Sequence, residues 1–160
     1  EVEDENFKLL KKNAEINNFE NFIPIQEAID EFPRLTQLYT REPQSMSHGL
    51  RPFEDIEDPE RLIANTSSNI KEIQSKTLDQ IFSEYRIDHM DVMHVSVTGH
   101  EIPVLKGMKT LIPKLDTLRV SCPYKSDGVP NIDTAQEIME EKGFGNFSRH
   151  GAAVIGERVS

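Results

Sequence analysis

Hydrophobic and polar positions predict a strand, a sharp turn and a helix across residues 90–114. The first eight residues, 90–97, are apolar or β-branched often enough to form a strand buried on both faces, as in parallel sheets. The Thr98-Gly99 pair predicts the turn. Apolar residues then recur at helical spacing up to Pro113. We expect this unit to lie inside a sheet, with ligands at the carboxyl end of its strand.

The same periodicities predict the other elements. Helices are expected at residues 6–17, 77–85 and 133–142, and strands at 21–29, 35–41, 69–76, 117–123, 144–149 and 152–159. Alternating strands and helices indicate an α/β fold, with a mostly parallel sheet, helices on both of its faces and a C-terminal antiparallel hairpin. We interpret residues 1–160 as one domain, with a hairpin and loop excursion at 30–76.

Polar residues at helix ends refine these boundaries. Asp4 or Asn6 is expected to cap the first helix. Thr77 and Gln80 have the spacing of a capping box. Asp133 is expected to cap the last helix, which should stop at Gly143 because glycine adopts the left-handed conformation without strain.

Charge and composition exclude several classes of protein. The 160 residues carry a net charge of −10 with no basic stripe, so we expect no nucleic-acid partner. No apolar run reaches the length of about 18 residues that a membrane span needs. The acidic, polar start is unlike a signal peptide, and we expect a cytoplasmic protein. Cys122 is a lone cysteine, so no internal disulfide is expected.

A family resemblance rests on residues 94–108, HVSVTGHEIPVLKGM. This stretch resembles the signature of FkbM-type methyltransferases, Lys-Ile-Asp-Val-Glu-Gly-x-Glu followed by a Val-Leu-Lys-Gly-Met run. Supporting similarity follows in chain order at residues 6–18, 21–29, 76–79 and 140–144.

The resemblance implies an O-methyltransferase that uses S-adenosylmethionine on a Rossmann-like sheet. The methyl acceptor would be a hydroxyl on a sugar or other small molecule. The resemblance aligns Glu1 with the acid that holds the cofactor ribose, and Glu27, Ala28 and Ile29 with the adenine contacts.

The chain departs from the family at two places. The glycine-rich cofactor turn, Asp-x-Gly-x-x-x-Gly, is absent, and the signature's Lys, Asp and Glu are His94, Ser96 and Thr98. Compared with the family, this sequence lacks an N-terminal strand-helix-strand unit. We therefore expect a truncated domain that is inactive as this chain. Its open sheet edges would be covered by a second copy or a companion chain. The alternatives are a non-catalytic binding or assembly module on the same scaffold, and a longer gene product that carries the missing motif.

Four residues are the catalytic candidates, and each has a second interpretation. His94 is either the base that takes the acceptor's proton or a hydrogen-bonded core residue. Ser96 and Thr98 either contact a ligand or mark lost chemistry. Glu101 is either a ligand contact or an acid that stabilises a helix start.

Other reactive residues have structural explanations. His100 is expected to be solvated in an exposed turn. Cys122 is either a nucleophile or an ordinary buried strand cysteine. The histidines lack metal-ligand spacing, so we expect no metal site. The acidic run at residues 54–60 either attracts a cation or forms a solvated face.

Overall fold

The computed structural model describes residues 1–40, 49–50, 69–126 and 128–159. Its helices are α1 (Asp4–Ile16), α2 (Leu78–Glu84), α3 (Glu101–Gly107) and α4 (Asn131–Glu141), with a 3-10 helix at Ile112–Lys114. Its strands are β1 (Ala28–Ile29), β2 (Leu35–Thr40), β3 (Asn69–Lys76), β4 (Met90–Val95), β5 (Leu115–Ser121), β6 (Lys125–Ser126), β7 (Val129–Pro130), β8 (Phe144–His150) and β9 (Ala153–Arg158). The predicted α/β class is confirmed.

The strands form three sheets rather than the single sheet predicted. The largest has the order β4-β5-β9-β8, the second has the order β1-β3-β2, and β6 pairs with β7. Among these described strands, only the β1–β3 and β4–β5 pairings are parallel. The prediction of a mostly parallel sheet is therefore wrong, although the C-terminal β8–β9 hairpin is antiparallel as predicted.

The β4 strand lies at an edge, which corrects the prediction that it is an inner strand. Its one neighbour among the described strands is β5. It is buried on one face only, where Met93 and Val95 pair in register with Leu118 and Val120 of β5. On the other face Val92 is 62 % exposed. The sheet is thus covered on one side.

The covered face of the four-stranded sheet carries the hydrophobic core. Side chains of α2, α3 and α4 pack against it, among them Phe82, Leu105, Met108, Ile138 and Met139. The prediction of helices on both faces is wrong for the described residues, because no helix buries the polar side chains of the other face.

The second sheet confirms one predicted hairpin and corrects a predicted strand. Strands β2 and β3 pair antiparallel, as expected. The strand predicted at residues 21–29 is reduced to Ala28 and Ile29, and Pro24, which has no N–H to donate to a ladder, lies in the part that does not pair. Residues 41–48 and 51–68, which include the acidic run 54–60, lie outside the described residues.

Helix α3 ends at Gly107, earlier than the predicted stop at Pro113. Asp79 of α2 explains the early end, because its carboxylate accepts hydrogen bonds from the amides of Lys109, Thr110 and Leu111 at 2.9–3.0 Å. A continued helix would need those amides for its own ladder. Lys142 adds a hydrogen bond to the carbonyl oxygen of Met108.

The predicted caps have mixed outcomes. Thr77 and Gln80 form the predicted capping box, and Gly143 has the left-handed φ of 85°. The caps predicted for α1 and α4 are wrong. The carboxylate of Glu3 caps α1 in place of Asp4 or Asn6.

Helix α4 begins directly after Pro130, which places Asp133 inside its first turn rather than at its cap. There Asp133 binds Arg149 at 2.8 Å.

No helix among the described residues is both long and apolar enough to cross a membrane.

Candidate functional site

One cavity of about 1020 Å³ lies at the carboxyl ends of β1, β4 and β5. Helix α1 forms one wall through Leu9 and Leu10, and the segment after β5 forms another through Tyr124. Its volume is at the upper end of the range of about 300–1,000 Å³ that small-molecule sites occupy. The carboxyl ends of parallel strands are where open α/β sheets bind ligands, as the sequence predicted for β4.

Seven of the eight predicted site residues line this cavity. Those seven are Glu1, Glu27, Ala28, Ile29, Ser96, Thr98 and Glu101. They come from three separate parts of the chain, namely its first residue, β1 and the turn after β4. The structure therefore brings together the residues that the family resemblance had assigned separately to ribose, adenine and the reacting end.

Glu101 is used to hold the turn before its own helix. Its carboxylate accepts hydrogen bonds from the amides of Val97 and Gly99, each at 3.3 Å, and the residue is 1 % exposed. Gly99 takes a left-handed φ of 78°, which a residue with a side chain would adopt only with strain. The interpretation of Glu101 as a helix-start acid has direct support in these contacts.

Two other carboxylates of the cavity are also engaged within the protein. Glu1 accepts hydrogen bonds from the amides of Val2 and Glu3, each at 2.9 Å. Glu27 pairs with Lys76 at 2.7 Å, and Lys76 also pairs with Glu84. These two hydrogen bonds hold the pKa of Lys76 above its ordinary value. A ligand hydroxyl would share these oxygens with existing donors.

His94 is the one predicted site residue that does not line the cavity, although its partner Ser121 does. It is on the exposed face of β4, and its Nε2 atom is 2.9 Å from the hydroxyl oxygen of Ser121. The second interpretation is correct in the hydrogen bond but wrong in the burial, because His94 is exposed and not in the core. The alternation of β4 side chains explains both results, since Met93 and Val95 occupy the covered face.

The burial of His100 differs from the prediction made for it. It was predicted to be solvated, but it is 5 % exposed and lines the cavity. Its Nε2 atom lies 3.0 Å from Oδ1 of Asp30, which is fully buried. No sequence pattern indicates this contact, because the two residues are 70 positions apart.

Asp30 links the segment after β1 to the start of α3. It directly follows β1, and besides His100 it binds the Glu31 amide and the Arg34 guanidinium, each at 2.7 Å. Burial raises the pKa of Asp30, but the Glu31 amide, the His100 ring and Arg34 together lower that pKa below its ordinary value. The Asp30 side chain is therefore ionised at neutral pH.

Gly107 brings α3 against the same segment. A Cβ atom at this position would lie 2.8 Å from the carbonyl oxygen of Asp30 and 3.1 Å from Cα of Glu31. The glycine of the Lys-Gly-Met run thus has a packing role, since it lets the helix approach this backbone closely.

Cys122 is not suited to nucleophilic chemistry. Burial, and then the nearby Glu101 carboxylate, raise the pKa of its thiol to about 12. The thiolate that would attack an electrophile is therefore a minor species near neutral pH. The buried-strand interpretation is supported.

A second group of polar residues lies at the amino ends of β4 and β5. His89 Nε2 is 3.4 Å from Asp91 and 3.3 Å from Asp116, and their ligand atoms lie within 4.8 Å of one another. The histidine-spacing argument missed this group because two of its three members are aspartates. All three side chains are exposed, and exposed acids commonly cluster without an ion.

Comparison with known proteins identifies no relative. No protein-family model, no curated protein and no solved structure matches this chain. The arrangement of the cavity is therefore the basis for a functional proposal. It can enclose a small molecule between an apolar wall, three carboxylates and a buried imidazole.

Proposed function

We propose that the chain is an FkbM-like methyltransferase domain whose cavity binds S-adenosylmethionine. The observation that supports this proposal is the convergence of seven family-assigned residues on one cavity. Their assignment rests on similarity to the family's cofactor and active-site residues. The strand order adds weaker support, because a parallel β4–β5 pair followed by an antiparallel hairpin agrees with the expected Rossmann-like sheet.

The residues present fit the nucleoside part of the cofactor. Ala28 and Ile29 offer apolar surface for a flat base, with Glu27 beside them, and Glu1 offers a carboxylate for ribose hydroxyls. The described lining has no lysine or arginine, which suits a ligand with a positively charged sulfonium. When bound, the cofactor would supply an electrophilic methyl group. The protein would orient a hydroxyl acceptor beside it and keep bulk water away.

The second candidate is a binding or assembly module without catalysis. Ser96 and Thr98, which stand where the family has two acids, favour it, as does the absent glycine-rich turn. One edge of β4 pairs with none of the other described strands, which favours a homo-oligomer or a companion chain that would pair with it. The cytoplasmic location expected from the sequence belongs to both candidates.

Titration calorimetry of the full chain with S-adenosylmethionine tests the first candidate. Ser96→Trp would place a large side chain in the cavity, and Arg119→Trp would place the same side chain on the exposed face of β5. We expect one binding event in the parent chain, loss of at least about tenfold in affinity for Ser96→Trp, and little change for Arg119→Trp. Absence of heat at millimolar cofactor would contradict the proposal and favour the module.

A further inference from the structure

Helix α1 differs from the other three α-helices of the described chain in how little of it is buried. It has 13 residues, and none of them is buried. Helix α4 has 11 residues and buries four of them, and α2 and α3 also bury part of their length. A helix as short as α1 is marginal in water and depends on the packing of its apolar face. The protein core gives α1 little of that packing.

The face of α1 that would be packed in an ordinary helix is turned to the cavity. Asn6, Leu9, Leu10 and Asn13 line the cavity, and we call these four residues the α1 stripe. Their spacing of three, four and seven positions places them on one side of the helix. Leu9, in the middle of the stripe, is still 40 % exposed. A molecule in the cavity would supply the surface on which this stripe could pack.

The contacts that fasten α1 at its start are exposed and polar. The Asp4 carboxylate accepts hydrogen bonds from the Lys71 ammonium on β3 and, at 2.7 Å, from the Gln26 amide. Exposed ion pairs of this kind contribute little to stability. At its other end, α1 is followed by a turn at Asn18, which has a left-handed φ of 52°, and residues 17–27 contain no helix or strand. Opening of α1 away from the cavity should therefore cost little free energy.

We infer that α1 is the lid of the cavity, and that its stripe packs on the bound ligand and is held in place by it. This inference rests on the proposed function for the identity of that ligand. Leu9 and Leu10 would contact apolar surface of the ligand. Asn13, whose carboxamide both donates and accepts hydrogen bonds, would contact one of its polar groups. The closed lid would keep bulk water from the cavity.

Hydrogen exchange of the full chain, followed by mass spectrometry, tests the mobility of α1. Without ligand, we expect the amides of α1 to exchange at least about tenfold faster than those of α4, because α1 lacks a packed face. With S-adenosylhomocysteine at saturation, exchange in α1 should slow by about tenfold or more. Slow exchange of α1 in the free chain, equal to that of α4, would overturn the inference.

The contact of the stripe with the ligand is tested with Leu9→Ala. Titration calorimetry should show a loss of about fivefold to tenfold in affinity for S-adenosylhomocysteine, because the variant buries less apolar surface on binding. The melting temperature of the free chain should be retained, since Leu9 is already 40 % exposed there. Ile16→Ala is the matched control. Ile16 is on the same helix, is 65 % exposed and is not among the residues that line the cavity, so both affinity and melting temperature should be kept.

Each other outcome has a defined meaning. Equal losses of affinity in Leu9→Ala and Ile16→Ala, or a loss accompanied by a lower melting temperature in Leu9→Ala, would assign the stripe a structural role and overturn the inference. Binding of S-adenosylhomocysteine that leaves exchange in α1 unchanged would also overturn it, while the proposed cofactor site would stand. No binding at all would overturn both proposals.

Discussion

The two faces of the four-stranded sheet differ in what they pack against. On the covered face, Leu118 and Val120 are fully buried against α3 and α4. On the open face, the alternate residues of the same strand are more exposed, and Arg119 points away from the core. Buried and exposed side chains alternate along this one strand. The difference in their burial therefore comes from the helices that cover one face of the sheet and not from the strand itself.

The two histidines of the β4–α3 unit show what this difference means for function. His94 lies on the open face and contacts Ser121. His100 lies beyond the turn, where the chain passes to the covered side and meets Asp30. Six positions separate the two residues, yet one is at the surface and the other is in the cavity. The cavity beyond the turn is therefore where we expect ligand chemistry.

The largest effect should come from truncating the covered face. Leu118→Ala removes a fully buried side chain and should lower the free energy of unfolding by about 2–5 kcal/mol. Its neighbour Arg119→Ala, on the open face, should change it by no more than about 0.5 kcal/mol. Urea unfolding of both variants gives the comparison, and equal losses would show that both faces are packed.

Gly107→Ala should have the next largest effect. The added methyl group would lie 2.8 Å from the Asp30 carbonyl oxygen, so α3 or the Asp30 backbone must move. We expect a loss of about 1–3 kcal/mol in unfolding free energy. Lys106→Ala, an exposed position of the same helix, is the control, and equal stability of the two variants would contradict the close approach.

Asp79→Ala should cost less, because Asp79 is only partly buried. It removes the carboxylate that accepts three amide hydrogen bonds from Lys109, Thr110 and Leu111. By analogy with helix caps, we expect a loss of about 1–2 kcal/mol. Hydrogen exchange should be faster at those three amides specifically, and unchanged exchange there would argue against the cap.

The smallest predicted effect is a dependence of the free energy of unfolding on pH that is due to Asp30. The folded-state pKa of Asp30 is lower than its ordinary value of about 3.9. Its stabilising contribution is therefore complete above the unfolded-state pKa and is lost as the pH falls through the folded-state pKa. In urea unfolding between pH 6 and pH 3, Asp30→Asn should lose less stability than the parent chain. Asp88→Asn, with a side chain 94 % exposed, should follow the parent.

Local patterns were sufficient to predict much of the fold. The Thr77–Gln80 capping box, the β2–β3 and β8–β9 hairpins and the Gly143 stop depend on neighbouring residues, and all are confirmed. The prediction that β4 is buried on both faces is wrong. The sequence of the strand could not indicate that one face would remain uncovered, because that depends on helices elsewhere in the chain.

The contacts that the sequence analysis missed join residues that are distant in sequence. The Asp79 cap joins positions 30–32 residues apart, and the Asp30–His100 pair spans 70. Neither has a local pattern, so the end of α3 and the burial of His100 could not be predicted. Glu27, Ala28 and Ile29 line the cavity, and their assignment to the adenine of a cofactor stays a prediction.

The central claim is that ligand binding belongs to the cavity at the carboxyl ends of the strands and not to the open face of the sheet. Mapping amide chemical-shift changes in the ¹⁵N-labelled chain on addition of S-adenosylhomocysteine tests it most directly. We predict chemical-shift changes at the amides of Glu27, Ala28, Ile29, Ser96 and Glu101. The amide signals of Val92 and Arg119 should not shift. Changes confined to the open face, or none at saturating ligand, would contradict the account.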